Sequence, residues 1–107
     1  MPNVPELDNV PEWIRIYGLY DETDPQQIVR YIGKTTKTVD KRLRGHLWTA
    51  THRNFQTHKD CWIRKALAAG GIIDAALIGT ASSREEANET ERRLIHEYRS
   101  KGFRLVN

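Results

Sequence analysis

The feature that most constrains this chain is a change of hydrophobic period near Thr38. Before it stand two short runs, WIRIYGLY (13–20) and IVRYIGK (28–34), both rich in aromatic and β-branched residues. The turn-forming segment DETDPQQ (21–27) separates them. Such an arrangement reads as a β-hairpin. Each run holds a Tyr beside a Gly, so the hairpin either packs its aromatics as core or turns two of them toward one pocket. Beyond Thr38 the spacing becomes helical. Val39, Leu43 and Leu47 fall on one arc, with Arg42 and His46 as neighbours at its edge. There a long basic side chain lies along the apolar boundary with its head free to enter a cleft. A second helix is expected from His58 to Ala69, burying Trp62, Ile63, Ala66 and Leu67 and stopped by Gly70-Gly71. IIDAALIG (72–79) reads as a third strand, continuous enough in apolar residues to be partly central. Ser83 and Glu86 form the capping-box pattern of a last helix that Gly102 closes. The order β-β-α-α-β-α predicts an α/β sandwich, a small sheet covered by helices.

A length of 107 residues leaves room for one domain with one modest core. Residues 1–12 carry three prolines and read as an extended arm, leaving 13–107 as the domain. No apolar stretch has the length of a membrane span, and the N-terminus lacks the pattern of a secretory signal. The single Cys61 excludes an internal disulfide and a Cys-rich zinc site, fits a reducing compartment, and reads as a small core residue. The formal charge is +3. Its distribution says more: Lys34, Lys37, Lys41, Arg42, Arg44, His46, His52 and Arg53 cluster, while acids concentrate in 6–24 and 85–97. A basic block of this kind suits phosphate, although an ordinary solvated helix face has the same composition.

One residue breaks the pattern. On the last helix Ala87, Leu94, Ile95 and Tyr98 share an arc of roughly 100°, and Glu91 lies inside it. Glu89, Arg92, Arg93, His96 and Glu97 lie on the far side. A carboxylate in an apolar stripe costs several kcal/mol unless a cation or hydrogen bonds compensate. Either an internal Arg pairs with it or it serves a site. A lone carboxylate without Cys or clustered His suits a hard divalent ion such as magnesium. Arg supplies a permanently charged fork for phosphate oxygens. A tyrosine accepts a proton only where cations lower its pKa from about 10. Together these are the parts of metal-assisted phosphodiester hydrolysis.

The pair Gly18-Leu19-Tyr20 and Tyr31-Ile32-Gly33 resembles the signature of the GIY-YIG nuclease superfamily, with Leu19 where Ile is usual. Arg42 and His46 follow in order, EANETERRLI (86–95) resembles the family's metal-binding segment, and the final Asn107 is similar to its late Asn. The likeness covers roughly Ile14 to Asn107. It implies an α/β catalytic domain with a small three-stranded mixed or antiparallel sheet, and hydrolysis of DNA with one divalent metal, Mg2+ or Mn2+ in its place. Under that resemblance Tyr20 is the general base or water-positioner and Tyr31 a second hydroxyl. Arg42 stabilises charge on the scissile phosphate, His46 assists, Glu91 holds the metal and Asn107 orients the site. Lys34, Lys41, Arg42, Arg44 and His46 would contact DNA, with Lys34 either lowering a tyrosine pKa or lying at the surface. A further DNA-binding domain or partner and a cytoplasmic setting in a bacterial or phage-infected cell are also implied. The competing readings are a cleavage-deficient DNA-binding module and an interaction domain on the same fold.

Overall fold

The computed structural model describes residues 14–53 and 57–107. The arm expected at 1–12, and Trp13 of the first strand, lie outside them. The elements run β1 (Ile14–Asp21), β2 (Tyr31–Thr35), α1 (Val39–His52), α2 (His58–Ala68), β3 (Ile73–Ala81) and α3 (Arg84–Ser100). The three strands form an antiparallel sheet in the order β2-β1-β3. The expected order of elements is therefore present in an α/β fold. Two details differ. Residues 28–30 are not strand, and β3 is an edge rather than a central strand, which leaves Leu77 exposed.

Period-two alternation along β1 divides the core. Ile14 and Ile16 face α3 with Ile32, Ala81, Ala87 and Leu94. Tyr17 and Leu19 face α1 and α2 with Leu43, Ala50, Ile63 and Ile73. Against β3 the register steps between Ile16↔Gly79 and Tyr17↔Leu77, a β-bulge at the start of the Tyr17 face. Against β2 the register sets Tyr17 opposite Gly33 and Leu19 opposite Tyr31. A Cβ on Gly33 would stand 2.5 Å from the Tyr17 hydroxyl and 2.9 Å from the Tyr31 ring, so only glycine lets the two tyrosines close over β2.

Each helix starts on a side-chain cap: Thr38, Thr57 and Ser83 accept from Lys41, Asp60 and Glu86 N–H respectively. Gly70 and Gly102, with φ of 86° and 90°, end α2 and α3 as their positions suggested. Among the described residues no helix is long and apolar enough to cross a membrane.

Candidate active site

β1 and β2 present Tyr17 and Tyr31 to α1 with their ring centroids 6.5 Å apart. His46 rises from α1 between them, its ring 5.8 Å from Tyr17 and 5.3 Å from Tyr31. The Tyr17 hydroxyl and His46 Nε2 form a buried hydrogen bond of 2.6 Å. Arg42, one turn earlier on α1, is exposed and acts electrostatically on both tyrosines. The site thus joins the end of a hairpin to the edge of a basic helix.

Burial dominates the proton chemistry of this cluster. It pushes the Tyr17 hydroxyl up to about 12, helped by Tyr31 and opposed by Arg42. Tyr31 is raised mainly by burial too, against the pull of Arg42. His46 falls to about 3, because burial and the charges of Lys59 and Arg42 disfavour an imidazolium while Asp60 favours it. Near neutral pH both groups of the 2.6 Å bond are therefore uncharged. The expected lowering of a tyrosine pKa by nearby cations does not occur, since desolvation outweighs one exposed guanidinium.

Tyr20 takes no part in the cluster. Strand alternation turns it to the side opposite Tyr17, where its hydroxyl donates to Asp74 over 3.5 Å and its pKa is raised by partial burial and that carboxylate. The shared pocket expected of Tyr20 and Tyr31 is built instead by Tyr17 and Tyr31. The signal that identifies Tyr17 was present in the parity of β1, since Ile14 and Ile16 mark one face and Tyr17 and Leu19 the other. The spacing of Gly, Leu and Tyr at 18–20 obscured it.

Glu91 approaches from the other layer, around the β2 edge. It acts on both Tyr17 and Tyr31, raising their pKa values. The carboxylate is not uncompensated, as the helical arc had implied. Lys34, projecting from β2 toward α3, places Nζ 2.9 Å from Glu91 Oε1, and the Glu91 side chain is 20% exposed. The compensating cation is thus a strand lysine, invisible to a reading confined to one helix. Asn88, Glu91 and Arg92 line an open cavity of about 200 Å³. Among the described residues no group of three or more His, Cys, Asp or Glu side chains is arranged to hold a metal ion. One carboxylate beside open water fits a hard divalent ion that keeps most of its hydration shell, with Lys34 as the competitor for the same oxygen.

Asn107 is firmly placed. Its Oδ1 accepts from Ile32 N–H at 2.9 Å and its Nδ2 donates to Ile32 C=O at 2.6 Å. Val106 N–H also reaches Arg30 C=O at 2.6 Å, so the last residues cover the free edge of β2 that carries Tyr31. Asn107→Ala is expected to destabilise the fold by about 1–2 kcal/mol, read from urea unfolding. An unchanged midpoint would mean that the backbone contact of Val106 suffices.

The remaining candidates are peripheral. Arg44 pairs with Asp40 at 3.0 Å on the exposed side of α1, and the Lys41 side chain is solvated. Trp48 is 50% exposed and stacks on His52. Cys61 is exposed rather than core, because it lies on the outer side of α2, opposite Ile63 and Asp60.

Comparison of the chain with family models, curated proteins and solved structures finds no match. Its chemistry must be argued from its own residues. Sequence reasoning missed three beside the site: Tyr17, Lys59 and Asp60. Asp60 had a readable signal, because Thr57-His58-Lys59-Asp60 has the spacing of a helix start with an acid at its third position. Lys59 had none, since its position over the Tyr31 ring, 5.6 Å from the centroid, depends on tertiary packing.

Proposed function

We propose that this chain is a metal-dependent endonuclease domain of GIY-YIG type that hydrolyses DNA phosphodiester bonds. The observation that carries the reading is the buried 2.6 Å bond between Tyr17 and His46, flanked by Arg42 and Tyr31. In this account the water that attacks phosphorus gives its proton to the Tyr17 oxygen. The Tyr17 proton passes in the same step to His46 Nε2. Such a relay needs a protonated phenol and a neutral imidazole, the forms both groups hold near pH 7. Arg42 meets the charge that develops on the phosphate, and Tyr31 borders the same space. Glu91 would hold Mg2+ or Mn2+, which supplies charge neutralisation at the scissile phosphate. Tyr17 replaces Tyr20 as the reacting tyrosine of this proposal.

The ion pair between Lys34 and Glu91 favours a second reading, in which the fold binds DNA without cutting it and the lysine permanently neutralises the carboxylate. Incubation with supercoiled plasmid separates the two. The parent chain is expected to nick or linearise the plasmid only with millimolar magnesium, and Glu91→Gln to lose about 10²-fold in rate. Magnesium should also raise the melting temperature of the parent and not that of Glu91→Gln. Plasmid left intact by the parent, but retarded on a gel, would replace the nuclease reading with the binding module.

A further inference from the structure

Between the first turns of α3 and the loop that leaves β2 lies a cavity of about 360 Å³, lined by Ile14, Lys34, Thr35, Thr36, Arg84 and Asn88. Two cations, two hydroxyls and an amide border it, and no carboxylate does. Such a set of donors suits an anion, and a guanidinium fork suits phosphate oxygens in particular.

The donors are available. Among the described residues the side chains of Arg84 and Asn88 have no hydrogen-bond or ion-pair partner. Lys34 gives one N–H to Glu91 at 2.9 Å, and an ammonium has three. The rim is also held in place. Thr35 Oγ1 accepts from Lys37 N–H at 3.0 Å, and the Lys37 carbonyl accepts from Arg15 Nη1 at 3.2 Å, which ties the loop carrying Thr36 to β1.

Position decides which phosphate the cavity would take. Asn88 also lines the smaller cavity that holds Glu91 and Arg92, so the two adjoin. Arg84, Asn88 and Glu91 recur at steps of four and three along α3 and share one face of it. Arg84 and Glu91 are thus about 10 Å apart along the helix axis. A phosphate at Arg84 is therefore not the one whose charge a metal on Glu91 would neutralise. It lies further along the strand, where phosphates follow at about 3.4 Å of duplex axis each. A single carboxylate would fill the larger cavity alone, whereas a phosphodiester chain also meets Arg92 in the smaller one.

We propose that this cavity is a second phosphate site, in which Arg84, Lys34 and Asn88 hold the backbone of bound DNA away from the point of cleavage. The anion chemistry stands on the cavity itself, whereas its place beside a cleaved bond rests on the nuclease reading above.

The test is binding of a fluorescein-labelled DNA duplex, read by anisotropy in metal-free buffer across a salt series. Arg84→Ala is expected to weaken binding about tenfold near 0.1 M salt and to lower the salt slope by about one. Asn88→Asp, which sets a carboxylate among these donors, is expected to weaken it at least as much. Arg93→Ala removes an equal charge from the far side of α3, where Arg93 pairs with Glu97 at 3.7 Å, and is expected to stay within about twofold of the parent. A parent that does not bind the duplex overturns the proposal. So does Arg84→Ala or Asn88→Asp binding as the parent does, or a loss in Arg93→Ala that matches Arg84→Ala. Poly-glutamate that displaces the duplex from the parent at equal charge would show a general anion surface and overturn it as well. With magnesium and plasmid, Arg84→Ala is expected to raise KM and leave kcat unchanged. A fall in kcat alone would place Arg84 on the reacting phosphate and sink the assignment to a second site. Absence of cleavage by the parent, with the binding pattern intact, would remove the nuclease reading and leave the phosphate site standing.

Discussion

Replacing Tyr17 by Phe is expected to slow magnesium-dependent cleavage by about 10²–10⁴-fold, the range by which a positioned proton-transfer group accelerates a reaction. Tyr20→Phe is expected to leave the rate near that of the parent. The contrast is demanding because both residues are β1 tyrosines, three apart, and either could be paired with Tyr31 on sequence spacing. They differ in the face they occupy. The Tyr17 hydroxyl is buried against His46 Nε2 at 2.6 Å, whereas that of Tyr20 points at Asp74. Removing the Tyr17 oxygen also leaves a buried imidazole nitrogen unpartnered, so some stability should be lost with the rate, about 1–3 kcal/mol. Rate and stability must therefore be measured together, at a temperature where both variants are folded. Equal losses of rate at positions 17 and 20 would show that the hairpin contributes only its shape. A large loss at 20 alone would return the reacting role to the residue that sequence spacing favours.

How much of this was legible in the sequence depends on the range of the interaction involved. The helix starts at Thr38, Thr57 and Ser83, the glycine stops and the alternation of β1 are local, and each was readable from a few neighbouring residues. The inward orientation of Glu91 was readable as well, from the arc it shares with Ala87 and Leu94. Its partner was not. Lys34 is 57 residues away and meets Glu91 only because β2, an edge strand, lies beneath α3. The same holds for Asn107, which stands 75 residues from the backbone of Ile32 that it grips. The expected pairing of Tyr20 with Tyr31 in one pocket failed for a different reason. A short motif was matched by spacing, while the period-two parity of the same strand, which decides which face a side chain occupies, pointed to Tyr17. Physical parity is the stronger guide here, because a one-residue slip along a strand moves a side chain to the opposite layer.

The buried imidazole also makes a prediction about acid stability. The folded-state pKa of His46 is about 3 and its unfolded value is near 6.5, so the fold holds this ring neutral where the unfolded chain would protonate it. Between those values the unfolded state binds one more proton than the native state. Stability therefore rises with pH across this window and is lost as the solution is acidified. The full contribution is present above pH 6.5, and each unit below it removes about 1.4 kcal/mol until the native ring itself titrates. By pH 5 the loss is about 2 kcal/mol, worth several degrees of melting temperature in a domain of this size. The carboxylates lowered in the fold, Asp21 and Glu86, contribute only at more acid pH, because their stabilisation is present above the ordinary carboxylate range and lost below it. Glu22, whose carboxyl is raised by its hydrogen bond with Asp74, works in the opposite sense as the solution is acidified, so the histidine's share is read from the difference between the parent and His46→Gln. His46→Gln, whose amide can still meet the Tyr17 hydroxyl, is expected to flatten the slope between pH 6.5 and 5 while lowering the plateau at pH 7. A difference in melting temperature between the two that stays constant from pH 7 to 5 would mean that the ring is hydrated and readily charged. The relay through Nε2 would then lose its neutral acceptor, and the case for Tyr17 would have to rest on position alone.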